Sequence, residues 1–146
     1  MSLTIRHLTN DDYDAIIALW QAAGLPIHIH GRDSRAAFAQ QMQTGHQTIL
    51  GLEKDGVLIG VVLTTHDGRK GWINRLAVHP DHRRQGHAQR LITEAEHILR
   101  EGQGMTVIAV LIEDWNEASM ALFQKTGYAT FDGGVHYLSK RTNADA

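Results

Sequence analysis

The chain has 146 residues, 42% hydrophobic and 21% charged, with 14 basic and 16 acidic side chains and a formal net charge of −2. That balance belongs to a folded domain and not to a disordered chain, and it gives no basis for general nucleic-acid binding. The absence of cysteine excludes disulfides, thiolate metal sites and cysteine nucleophiles.

No apolar run approaches the ~18 residues of a membrane helix, so no membrane association is expected, and the location expected is the cytoplasm. The length suits a single domain over residues 1–140, followed by a short polar tail, 141–146.

The elements follow from periodicity. Leu3–Leu8 alternates as a short strand, and Asn10–Ala23 carries Tyr13, Ile16, Ile17 and Trp20 at helical spacing behind a capping segment, Thr9–Asp12. Asp33 or Ser34 caps a second helix bearing Ala37, Phe38 and Met42. Thr48–Glu53 and Val57–Thr65 are strands around Asp55-Gly56, a strong hairpin turn, and Gly71–Val78 is the next strand. A helix from about Gln85 to Arg100 follows, then an apolar strand, Met105–Ile112. A capped helix runs to Lys125, and Tyr128–Phe131 and Val135–Ser139 form a closing hairpin. This order predicts an α/β (mixed α+β) fold, with a mixed sheet and helices on both faces.

The stretch Leu76–Ala88 is the informative one. A strand ends, a short turn follows, and Arg83, Arg84, Gln85 and Gly86 lead into a helix through His87 and Ala88. A helix start offers free N–H groups and partial positive charge, and Gly86 lets a ligand approach the backbone closely. With two arginines beside it, this is an anion site suited to phosphate or pyrophosphate. Neither the P-loop nor the dinucleotide glycine signature is present.

Here the sequence resembles the GNAT superfamily of acyl-CoA-dependent N-acetyltransferases. Arg83-Arg84-Gln85-Gly86-His87-Ala88 matches its Arg/Gln-x-x-Gly-x-Gly/Ala motif, and Leu76–Pro80 matches the preceding strand end. Asn116–Tyr128 matches its second signature, an Asn-led helix ending in Lys-x-Gly-aromatic. The resemblance implies a mostly antiparallel sheet of about seven strands, splayed between the fourth and fifth, with about four helices. It implies acetyl-CoA as cosubstrate, with its pantetheine arm paired to Leu76, Ala77 and Val78 and its pyrophosphate held by the amides from Arg83 to Ala88. Asn116, Ser119 and Phe123 would border the cofactor. The Val78 N–H would bind the thioester carbonyl and then the oxyanion.

Two positions depart from the family pattern. Phe123 stands where many members carry a proton-donating tyrosine, and the fourth strand offers Trp72 and Asn74 where a basic residue is common. Asn74 could orient a water. His28, His30, Glu113 and His136 are candidate bases, with His28 the one selected. His28-x-His30 lacks the further ligands a zinc ion needs, so no metal is expected.

The reading is acetyl transfer from acetyl-CoA to a primary amine, on a small molecule or a peptide, by direct attack in a ternary complex. The alternatives are a non-catalytic acyl-CoA-binding or sensor domain and an acetyltransferase of protein or peptide N-termini. Edges left by the final hairpin could pair with a second copy in a homodimer.

Overall fold

The computed structural model describes residues 2–130 and 133–146. Its elements are β1 (Leu3–His7), α1 (Tyr13–Ala22), α2 (Arg35–Met42), β2 (Gln47–Lys54), β3 (Val57–His66), β4 (Gly71–Val78), α3 (His87–His97), β5 (Ile108–Val110) and α4 (Glu117–Lys125). The strands lie in the order β1-β2-β3-β4-β5, antiparallel up to β4, with β5 parallel to β4. At the β2–β3 turn, Asp55 and Gly56 both have positive φ (50° and 83°), as a primed hairpin turn requires.

Two apolar layers sandwich the sheet. Leu50, Leu52, Ile59, Val62 and Ile73 pack with Leu91, Ile92, Ala95 and Leu99 of the α3 side. Ile49, Val61, Leu63 and Ala77 pack with Ile16, Ile17 and Trp20 of α1 and Phe38 of α2. Alternation along β2 and β3 sends neighbouring side chains to opposite layers. β3 is therefore buried on both faces through its middle. Gly60 lets α3 seat directly on β3: a Cβ there would come within 2.9 Å of a Leu91 methyl.

The second layer is tied at its edge by Arg6. Its guanidinium donates to Asp12 at 2.7 and 3.1 Å and to Glu53 at 3.1 and 3.3 Å, joining β1, the turn before α1, and β2. The Arg6 hydrogen bonds hold the Asp12 carboxyl below the usual carboxylate range. A carboxyl depressed in the folded state stabilises above its unfolded value of about 3.9, and that contribution is lost as pH falls through the folded value. The urea midpoint is expected to decline below about pH 4, and less steeply in Asp12→Asn.

Two features depart from the sequence reading. The expected Met105–Ile112 strand shortens to Ile108–Val110, because Met105 turns into the core while Val107 and Leu111 stay 50% and 59% exposed. Among the described residues no closing hairpin is formed, and the sheet has five strands where about seven were expected. Val135, Tyr137 and Leu138 are 74%, 69% and 89% exposed, while Phe131 and Asp132 of the expected hairpin lie outside the described residues. A strand needs a ladder to join, and β5 offers only three residues of one. Tyr128 is drawn inward instead, edge-on to Phe123, with its hydroxyl donating to Glu96 at 2.7 Å.

Candidate functional site

The site is made by a divergence in the sheet. β5 pairs with β4 only at Gly71, Trp72 and Ile73. Beyond that, β4 runs on to Val78 with β3 on one side and no strand on the other. A cleft of about 770 Å³ opens there, between Leu76–Val78, the start of α3, one face of α4, and Ala23–Leu25 at the end of α1.

The free edge presents backbone groups. The His79 N–H donates to the Ile59 carbonyl at 2.8 Å, toward β3. Alternation therefore turns the N–H and C=O of Val78 the other way, toward the cleft. The Val78 carbonyl agrees with this, since it accepts from Arg83 Nε across that side at 3.4 Å.

At the end of this edge the backbone forms an anion cradle. Arg84 and Gly86 have positive φ (61° and 81°), and Gly86 is the N-cap of α3. No backbone acceptor among the described residues takes the N–H groups of Arg84, Gln85 or Gly86, and the first α3 hydrogen bond is Arg90 N to Gly86 O. Successive free amides at a helix start form a concavity for oxyanions. Arg83, Arg84, His82 and Lys125 line the same cleft, and among the described residues no Asp or Glu does. Its field thus favours a polyanion.

α4 supplies the opposite wall. Asn116 caps it, its Oδ1 accepting from the Ser119 N–H at 3.1 Å, and both residues line the cleft. The cap leaves the Asn116 amide NH₂ available. Phe123 is elsewhere: it is 3% exposed, in the core, edge-on to Tyr128. It is not among the residues that line the cleft. The Gln85 side chain turns to His87, with Oε1 and Nε2 3.1 Å apart, and does not line the cleft.

The candidate bases are not gathered at the cleft. Asn74 donates to Thr65 Oγ1 at 3.1 Å, and His28 lies in the α1–α2 loop with its N–H on Asp33 Oδ2 at 2.8 Å. Neither side chain lines the cleft, whereas Leu76, Ala77, Val78, Arg83, Arg84, Gly86, His87, Ala88, Asn116 and Ser119 do. Trp72 stacks under Lys70, His30 borders a separate cavity, and Glu113 and His136 are exposed.

The pattern of the Acetyltransferase (GNAT) family matches residues 5–128. The chain belongs to this family. It is an acetyl-CoA-dependent acyltransferase. An acetyltransferase of Yersinia pestis (strain Pestoides F) is 28% identical over 143 residues, 98% of each chain. Two solved structures share the fold at 20% identity. The PaiA N-acetyltransferase of Thermoplasma acidophilum, in complex with coenzyme A, has a TM-score of 0.78 and covers 90% of this chain and 92% of its own. AAC(6')-Iy in complex with a CoA-S-monomethyl-acetylneamine bisubstrate analogue has a TM-score of 0.79, with 97% and 99% covered.

The site residues expected from the sequence lie on β4, at the start of α3 and at Asn116, Ser119 and Phe123, and three further parts of the cleft were not among them. Ala118, Leu122 and Lys125 continue the α4 face at spacings of three and four, a signal the sequence does contain. Trp115, 76% exposed on the rim, and Leu25, on the far wall, carry no such signal.

His87 is 7% exposed in this GNAT cleft, and burial, with His82, Lys54 and Arg90 nearby, holds its imidazole below the ordinary value. A group depressed in this way stabilises above its unfolded value, about 6.5, and loses that contribution as pH falls through the folded one. The urea midpoint should therefore drop between pH 7.5 and pH 5. His87→Gln should remove part of that drop.

Proposed function

We propose that this GNAT enzyme transfers acetyl from acetyl-CoA to a primary amine in a ternary complex, by direct attack of the amine on the thioester. The observation that carries this is the free β4 edge leading into a cationic amide cradle with no carboxylate on its walls. The pantetheine arm pairs with Leu76–Val78 as an added strand. The cradle from Arg83 to Ala88 holds the pyrophosphate, and the Asn116 amide reaches the pantetheine.

The amine nitrogen attacks the thioester carbonyl, whose developing oxyanion accepts from the Val78 N–H. The C–O double bond then re-forms, the C–S bond breaks, and coenzyme A leaves as thiolate. A thiol with a reference pKa of about 8.5 is a tolerable leaving group at neutral pH. Phe123 supplies no proton, and the Tyr128 hydroxyl is buried, bound to Glu96 and pushed well above its usual range. The thiolate is therefore protonated by solvent, which also takes the proton that the attacking nitrogen loses as the amide forms.

The imidazoles on the described cleft walls, His82 and His87, stand beside the phosphate cradle and away from the thioester end, so the amine arrives neutral. An α-amine near pKa 7.7–8.0 is roughly a tenth neutral at pH 7, and a lysine-type amine less than ~0.1%. The acceptor is accordingly an α-amine.

Acetyl-CoA-dependent thiol release across a panel of amino acids, peptides and alkylamines tests this. The chain has no cysteine, so a thiol reagent reads only the coenzyme A formed. Turnover of α-amines with alkylamines near background is expected. Robust acetylation of lysine-like amines alone would sink the α-amine assignment. Acetyl-CoA binding with no turnover anywhere would instead favour a non-catalytic sensor.

A further inference from the structure

Arg75 is a half-buried charge that the mechanism above does not use. It sits at the bulge where β4 gains a residue against β3, between the pairs Leu63–Asn74 and Val61–Ala77, and has φ +52°. A non-glycine residue in that conformation costs about 1 kcal/mol. The bulge takes its side chain out of the strand's alternation and lays it on α1, with the guanidinium 4.4 Å over the Trp20 ring.

None of its N–H groups is hydrogen-bonded among the described residues. The nearest carboxylate oxygen, Asp33 Oδ2, is 3.8 Å away and already accepts from the His28 N–H. Arg75 Nη2 and Trp20 Nε1 are both buried and unpartnered. The Arg75 side chain as a whole keeps 24% exposure, so part of the fork is reachable. Desolvation dominates in disfavouring its charge; Asp33 offsets part of this and Arg32 adds a smaller repulsion.

A strained, desolvated and under-paired guanidinium is costly unless an anion completes it. Its position says which anion. The Arg75 side chain is not itself part of the cleft lining; it lies next to the cleft, since Arg75 directly precedes Leu76 of the wall, at the end of that wall remote from the phosphate cradle. Trp20 belongs to the helix whose end forms the far wall. The loop carrying Arg32 and Asp33 is fixed by the Tyr13 hydroxyl on the Asp33 carbonyl.

We infer that Arg75, stacked on Trp20, is the anchor for a carboxylate carried by the acceptor, so that the substrate class is an amino carboxylic acid or short peptide acid. This rests on the acetyltransferase reading of the cleft. The flat fork of an arginine suits a carboxylate, and the aromatic ring holds it in one orientation. Arg32 adds positive potential to the same face and disfavours polycationic amines.

The test uses L-phenylalanine, glycyl-L-phenylalanine and diglycyl-L-phenylalanine, each as free acid and as C-terminal amide. The graded lengths vary the distance from amine to carboxylate. At least one free acid is expected to exceed its amide by roughly 10–100-fold in kcat/KM, through KM, the range of a charge-assisted contact. Arg75→Met should bring that ratio to about one, and Arg75→Lys should restore part of it. Ratios near one at every length, or a preference for spermine over every acid, would overturn the anchor while leaving acetyl transfer intact. If nothing is turned over, titration of the same compounds into the protein saturated with coenzyme A decides. Tighter binding of an acid than its amide, lost in Arg75→Met, upholds the anchor and counts against transfer. Equal binding, or none, overturns it.

Discussion

Gly86→Glu is expected to abolish stabilisation of the protein by coenzyme A. Gly86 caps α3 at φ +81°, and nothing lies within 4 Å of where its Cβ would be. The variant can therefore fold, with a conformational cost of about 1 kcal/mol. Its carboxylate would stand among the free amides of the cradle and beside Arg83 and Arg84. There it would occupy the donors and repel the phosphates. Wild-type protein at about 100 times the dissociation constant should gain about 2.7 kcal/mol, a Tm rise of several degrees. In Gly86→Glu the rise should vanish. Gly86→Ala, which adds the strain without the charge, should retain part of it, and a pantetheine fragment without phosphates should give little in either. An undiminished shift in Gly86→Glu would remove the cradle from the account.

Leu91→Ala is expected to destabilise the fold by about 3 kcal/mol, the usual range for a leucine in a packed core. Leu91 is 0% exposed, and its methyl fills the space that Gly60 leaves on β3. A loss of that size is a large share of the 5–15 kcal/mol that holds a typical domain together. Gly60→Ala should also destabilise, by roughly 1–3 kcal/mol, because its new methyl meets the Leu91 side chain at 2.9 Å. The two are not independent. In the double variant the methyl at 60 enters the space vacated at 91, so the loss should fall short of the sum of the single losses. Strict additivity in urea unfolding would mean that α3 does not seat on β3 at this point. The packing matters for function because α3 carries the cradle at its first turn.

Much of this was legible because the relevant signals are local. The boundaries of β2, β3 and β4 follow from two-residue alternation, and the Asp55-Gly56 turn from its need for positive φ. The cradle was legible because its residues are contiguous and one of them is a glycine. The closing hairpin was not, although Val135 and Tyr137 alternate like a strand. Alternation says which face a strand would bury, but it does not supply the neighbour, and β5 is too short to be one. Phe123 shares a helix face with Ser119 by its spacing, but its burial against Tyr128 depends on how α4 packs and is not visible in that spacing. Arg75 left no signal at all. Its role depends on a bulge that exists only once β3 and β4 are in register.

The central claim is that the cosubstrate lies along the free edge of β4 with its phosphates at the start of α3. Titration of ¹⁵N-labelled protein with coenzyme A, followed through backbone amide shifts, tests it most directly. The largest changes are expected at Leu76, Val78 and the amides from Arg84 to Ala88, with Asn116 and Ser119 following and the β1–β2 edge unmoved. Changes centred elsewhere, or none at millimolar coenzyme A, would contradict the placement and the acetyl-transfer mechanism built on it.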